Sequence, residues 1–201
     1  MTPDLADDRA LYAEMKAKHP EMTTDDFAKV LTGSVESVKK REALHEAGHV
    51  VMDFALGLEV EFVNLPDPRK GDWSEPVTRF RWPIFASPPP EFGALCSVAG
   101  AAAERVGSHR KKASPSHTDR ALFVRMMETS SREIREGWVL MAVDFFREPP
   151  AARYLEKVSG FLYSRWGART SGEAVWAACP RPRDFDRLAG KLWRRLLKGN
   201  R

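Results

Sequence analysis

A five-residue run inside a helical pattern constrains this chain more than any other feature of its sequence. The run His45-Glu46-Ala47-Gly48-His49 fits the pattern HExxH, with two histidines four positions apart. On an α-helix these positions lie on one face, so both imidazoles can reach the same point. We therefore predict a helix from Ser34 to Leu56, begun after Gly33 and ended by Gly57. Its apolar residues at helical spacing are Val38, Leu44, Val51 and Ala55.

The residue types in this run favour a zinc site with hydrolytic chemistry. Catalytic zinc takes three protein ligands and keeps one position for water. We expect His45 and His49 to be two of the ligands. Glu46 lies beside the first histidine and can take a proton from water as the water attacks a carbonyl group. Two histidines on an ordinary surface helix are the alternative, which the apolar flanks of the run disfavour.

A third ligand is needed, and the residues alone leave four candidates. Glu104 lies in an alanine-rich segment that predicts a closely packed helix. His109 lies in a basic loop, and His117 and Asp119 lie at the start of another predicted helix. An aspartate there also fits the first turn of a helix without any metal.

Composition bounds the remaining classes of function. The 201 residues are 43% hydrophobic and 30% charged, which suits a soluble, folded chain of one large or two small domains. A net charge of +4, with both signs mixed along the chain, gives no reason to expect a nucleic-acid partner. The two cysteines form no CxxC pair, which excludes a cysteine-rich zinc site. The chain shows neither a signal peptide nor a membrane span, so we expect a cytoplasmic protein.

The pattern predicts a mainly α fold with one small β element after the HExxH helix. Alternating residues indicate a strand near Val60–Val63 and a second at 77–82. The predicted helices outside the HExxH segment cover residues 4–18, 24–31, 91–106, 116–130, 132–147, 150–166, 171–178 and 182–198.

Four segments resemble the peptidase part of the FtsH-type zinc proteases, in the same order along the chain. Residues 43–49 (ALHEAGH) resemble the HEAGH helix of that family, and residues 98–105 (VAGAAAER) resemble its GGRAAEE helix. Residues 113–122 (ASPSHTDRAL) resemble its TGASNDLxxAT segment, and residues 171–175 (SGEAV) resemble its SGEEV. The similarity covers about residues 40–180.

The resemblance implies a ligand set and a role for each matching residue. It implies zinc held by His45, His49 and Asp119, with Glu46 as catalytic base. Glu104 matches the glutamate of the GGRAAEE helix, where it could orient a histidine or be a paired structural acid. One departure concerns Ala99, where the family has glycine.

The resemblance also implies a zincin-like α+β fold and a division of the chain into three parts. We expect an N-terminal helical extension at 1–33, a peptidase domain at 34–180 and a basic C-terminal helix at 181–201 packed on that domain. The family couples its peptidase to an ATPase, but no GxxxxGK[ST] phosphate loop occurs in this sequence. A separate ATPase or adaptor is therefore a candidate partner.

The expected function is that of a stand-alone, ATP-independent zinc metallopeptidase acting on flexible or unfolded polypeptides. The alternative is a non-catalytic, zinc-binding regulatory or interaction module that keeps the fold; an intact Glu46 argues against it. The substrate, the cleavage specificity and the oligomeric state are left open by the sequence.

Overall fold

The HExxH helix is the central element of the structure, which is a computed structural model. It describes residues 24–67, 76–81, 90–107 and 132–199, with a few positions before residue 24. The first helix, α1, spans Thr24–Ala55. All residues from 45 to 56 are buried, so this half of the helix is covered on every side.

A glycine cap ends α1 where the sequence predicts. Gly57 has a φ of 72°, and the Leu58 amide donates to the Asp53 carbonyl at 2.8 Å. This is the Schellman arrangement, in which glycine adopts the left-handed conformation without strain. The predicted start at Ser34 is wrong, because the helix runs unbroken through Gly33 from Thr24. A glycine inside a helix costs only about 1 kcal/mol relative to alanine, so it need not end one.

Five further helices lie within the described residues. Their predicted bounds are confirmed to within two residues. They are α2 (Pro90–Gly107), α3 (Arg132–Arg147), α4 (Pro149–Ser164), α5 (Gly172–Ala178) and α6 (Arg183–Gly199). The predicted helices at 4–18 and 116–130 fall on residues that lie wholly or largely outside the described part of the chain.

A three-stranded antiparallel sheet lies against α1, in the order β2-β1-β3. The strands are β1 (Glu59–Asn64), β2 (Val77–Arg81) and β3 (Arg169–Ser171). β1 and β2 match the two predicted strands. β3 is absent from the prediction because its three residues are too short and too polar to show an alternating pattern.

The other helices and the sheet enclose the C-terminal half of α1. α2 and α4 pack along it, the sheet covers part of it, and α6 reaches its C-terminal end. Aromatic side chains join the outer helices, with the rings of Tyr154 and Phe185 centred 4.7 Å apart. The mainly helical fold with a small β element is thus confirmed. α1 crosses the predicted division between residues 33 and 34, and the division into domains stays a prediction.

None of the helices within the described ranges combines the length and the apolar character needed to cross a membrane.

Candidate metal centre

Three side chains of one helical turn meet in the interior of the protein. His45, Glu46 and His49 each offer a ligand atom, and these atoms lie within 4.8 Å of one another. The three residues are only 7%, 3% and 8% exposed. The histidine rings are 4.9 Å apart, centre to centre. Two imidazoles and a carboxylate gathered in this way form a donor set that suits a divalent metal ion.

A carboxylate from the neighbouring helix fixes the orientation of His45. The Nδ1 atom of His45 lies 2.7 Å from Oε1 of Glu104, which is itself buried on α2. When Nδ1–H donates to the carboxylate, the imidazole carries its lone pair on Nε2. Carboxylate–histidine pairs of this kind hold the ring and make the second nitrogen a better metal ligand.

His49 is oriented by a backbone group of α2, the helix that also carries Glu104. Its Nδ1 atom lies 2.8 Å from the carbonyl oxygen of Cys96. A carbonyl oxygen only accepts hydrogen bonds, so Nδ1 is the donor, and in the neutral imidazole this leaves the lone pair on Nε2. Both histidines therefore make their hydrogen bonds to α2 through Nδ1.

The carboxylate of Glu46 is held by the sheet. The hydroxyl of Thr78, on β2, donates to Oε2 of Glu46 at 2.7 Å. The three residues of the turn thus have partners on two different elements. α2 holds the histidines, and β2 holds the glutamate.

The close approach of α1 and α2 depends on two glycines. A Cβ atom at Gly48 would lie 2.7 Å from the backbone oxygen of Ala99 and 2.6 Å from the Cβ of Ala103. A Cβ atom at Gly100 would lie within 2.6 Å of several ring atoms of His45. The imidazole of His45 therefore occupies the space that any larger residue at position 100 would need.

The structure brings together four of the residues singled out from the sequence. His45, Glu46, His49 and Glu104 form one buried cluster. The candidates Asp119, His117 and His109 lie outside the described residues. The two histidines suit zinc, which needs one more protein ligand for a site that keeps a position open. The assignment of zinc and of its three ligands stays a prediction.

Sequence reasoning missed three parts of this arrangement. The Cys96 carbonyl carries no signal, because every residue has a carbonyl group. Thr78 lies in an ordinary alternating strand, and Gly100 stands among alanines with no pattern of its own. The position of Gly100 in the segment that resembles the GGRAAEE helix was the one available clue.

Comparison with known protein families and with curated proteins finds no match to this chain.

Proposed function

We propose that this chain is a zinc-dependent metallopeptidase of a zincin-like fold, similar to the peptidase part of the FtsH-type proteases. The observation that carries the proposal is the preorganised turn His45-Glu46-His49. Partners on two other elements hold it, and both histidines make their hydrogen bonds to α2 through Nδ1. If the two histidines lay by chance on a surface helix, we would not expect hydrogen-bond partners from two other elements around them.

The residues have distinct tasks in this proposal. His45 and His49 would hold the metal, together with Asp119 as third ligand. When bound, zinc supplies Lewis-acid polarisation of a carbonyl group and lowers the pKa of water. Glu46 takes one proton from the attacking water as the water oxygen bonds to the peptide carbon. It then passes that proton to the departing nitrogen as the C–N bond breaks.

The substrate class follows from what surrounds the turn. β2 lies at one end of the strand order among the described strands, and it contacts Glu46 through Thr78. An extended polypeptide could add to this strand. We propose flexible or unfolded polypeptides as substrates, a cytoplasmic location, and a separate ATPase or adaptor as the source of substrate.

The Glu46→Gln variant tests the peptidase function. It should abolish cleavage of casein or of a peptide library while leaving about one zinc bound per chain, because glutamine is nearly isosteric but cannot take a proton. Glu36→Gln is the matched control, since this glutamate lies on the same helix with a partly exposed side chain.

Two results would overturn the proposal. Protein that stays metal-free after refolding with zinc would remove the metal site. Zinc-loaded wild-type protein that cleaves nothing would favour the non-catalytic binding module.

The third ligand is tested by comparing two substitutions in one segment. Asp119→Ala should weaken zinc binding by about tenfold or more, and His117→Ala should leave it unchanged. Competition with a chelating dye measures both affinities. The reverse result would assign the ligand to His117.

A further inference from the structure

The carboxylate of Glu46 is joined to a strand that belongs to a different part of the fold. The Thr78 hydroxyl donates to Oε2 at 2.7 Å and lies 3.4 Å from the backbone oxygen of the same glutamate. Glu46 is buried and Thr78 is half-buried. Hydrogen bonds from a hydroxyl to a carboxylate are among the shorter and stronger ones in proteins.

The geometry of the sheet directs Thr78 toward the helix. Thr78 and Phe80 are the half-buried residues of β2, while their neighbours along the strand are exposed. Thr78 pairs with Val63 of β1, and Phe80 pairs with Val60. Paired residues share a face, so all four side chains point to the side on which α1 lies.

A β-bulge in β1 keeps Val60 and Val63 on the face of the sheet that lies toward α1. Val60 and Val63 are both buried although they stand three positions apart, whereas a regular strand would turn them to opposite faces. The register shifts between Val60 and Phe62, which leaves Glu61 as the extra residue. The Glu61 carboxylate contacts Arg79 at 3.1 Å and Arg81 at 2.7 Å. These ion pairs join the bulge to β2 on the outer face, opposite Thr78.

The helix by itself does not fix the conformation of the Glu46 side chain or the position of its carboxylate. A glutamate side chain has three rotatable bonds, and ordering it costs on the order of 1.5–2 kcal/mol. Threonine is stiff at χ1 because it is branched at Cβ, so its hydroxyl offers a fixed point of attachment. A base acts only when it lies within hydrogen-bond reach of the proton it takes.

We infer that Thr78 is a positioning residue that holds the Glu46 carboxylate in the orientation from which it acts as a base. The inference rests on the proposed peptidase function and deepens it, because it links the base to the strand proposed to receive the substrate. Thr78 itself touches neither the scissile bond nor a metal ligand in this role.

Three variants test the inference through kinetics. Thr78→Val removes the hydroxyl at nearly constant shape and should lower kcat by about tenfold to a hundredfold, as for loss of one hydrogen bond to a charged group. KM and zinc content should stay within about twofold of the wild type, since neither peptide binding nor the ligands change. Thr78→Ser restores a hydroxyl and should recover most of kcat.

Thr170→Val is the matched control. Thr170 lies on β3 and pairs with the same Val63 across the opposite edge of β1, and its side chain is buried. Its substitution should leave kcat unchanged. Equal losses in the valine and serine variants at position 78, or a valine variant as fast as the wild type, would overturn the inference.

Crystal structures of the wild type and of Thr78→Val give a readout that does not depend on activity. In the valine variant the Glu46 carboxylate should leave its position or adopt several conformers, while His45 and His49 keep theirs. An unchanged, single Glu46 conformer would overturn the inference even in an active enzyme. A wild type without hydrolytic activity would instead refute the peptidase function, and the two crystal structures would still decide whether Thr78 positions Glu46.

Discussion

The carboxyl group of Asp53 is fully buried on α1, one helical turn beyond His49. Neither of its oxygens makes a well-formed hydrogen bond among the described residues, although the Cys96 thiol lies close enough to interact with it. Burial raises its pKa to about 7, and the neighbouring Cys96 thiol and His49 offset only a part of that rise. Isolated buried carboxylates are costly when charged, so this group favours its protonated form.

This carboxyl group should make the protein less stable in alkaline solution. The pKa of Asp53 is about 7 when folded, against an ordinary value of 3.8. The neutral form is favoured by folding. Its contribution to stability is therefore complete below about pH 4 and is lost as pH rises through about 7, at up to about 1.4 kcal/mol per pH unit.

Asp53→Asn should remove that loss and raise the free energy of unfolding at about pH 8 relative to the wild type. Urea denaturation of the chelator-treated proteins at about pH 5 and about pH 8 measures this free energy of unfolding. Asp144→Asn, on an exposed residue of α3, should leave the pH dependence unchanged. Parallel pH profiles for wild type and Asp53→Asn would contradict the expectation.

Site residues that follow a spacing pattern could be predicted from the sequence one by one. Site residues without such a pattern could not. His45, Glu46 and His49 follow from helical geometry alone, because four positions make a little more than one turn. Glu104 could be named from the residues only as one of four candidate ligands, and a role beside a histidine came from the family resemblance. Thr78 lies 32 residues from the glutamate it contacts, and nothing in an alternating strand shows which helix its inner face will meet.

At the scale of elements, the crossing of α1 and α2 forms the site. The two helices approach so closely because Gly48, Ala99, Gly100 and Ala103 line their contact, so one helix can place both Glu104 and the Cys96 carbonyl against the histidines. Helices that pack through small residues have little room to adjust. A larger side chain at their contact therefore destabilises the protein.

Gly100→Ala should disrupt the candidate metal centre. The new Cβ would meet the His45 ring, which is buried and held by Glu104 and so has little freedom to move. We expect a loss of about 1–3 kcal/mol in stability and a marked loss of zinc affinity. Thermal denaturation and metal titration measure the two effects.

Gly160→Ala is the control for this substitution. Gly160 is an exposed glycine of α4 with open space around its would-be Cβ. Alanine there should stabilise the protein by up to about 1 kcal/mol through its higher helix propensity. Normal zinc affinity in Gly100→Ala would show that the helices can separate without harm to the site.

Element positions were largely predictable because periodicity and caps are local. The five helices after the HExxH helix and the first two strands of the sheet follow the pattern of apolar residues, with Gly57 marking the end of α1. The continuation of the helix that begins at Thr24 through Gly33 into the HExxH segment was missed, as was the strand β3. In both cases a weak local preference was overridden. Propagation of the helix overrode the glycine at position 33, and pairing with β1 made a strand of the three polar residues of β3.

At the scale of the whole molecule, the C-terminal part closes the end of the central helix. The last carbonyl groups of a helix lack partners within it. Trp193 donates from its indole Nε1 to the Ala55 carbonyl at 3.1 Å, and Arg181 donates to the Phe54 carbonyl at 3.0 Å. α6 presents a buried face to the core through Phe185, Ala189, Leu192 and Leu196. The segment 181–199 is therefore packed on the rest of the molecule.

Trp193→Phe should destabilise the protein by about 1 kcal/mol, the usual worth of one hydrogen bond, because it keeps most of the ring and removes the donor. Trp176→Phe serves as a control, since Trp176 is 43% exposed and should cost less. Guanidinium denaturation of both variants gives the comparison. Equal losses would assign the effect to ring packing instead of to the hydrogen bond.

The sequence by itself determined the helices, the end of α1 and the single turn that gathers His45, Glu46 and His49, because each depends on contacts within a few residues. Only the tertiary structure decided which groups orient that turn. Glu104, the Cys96 carbonyl and Thr78 come from 32 to 59 positions away. Their meeting depends on the distance at which α1 and α2 pack and on the register of β2, which no local pattern encodes.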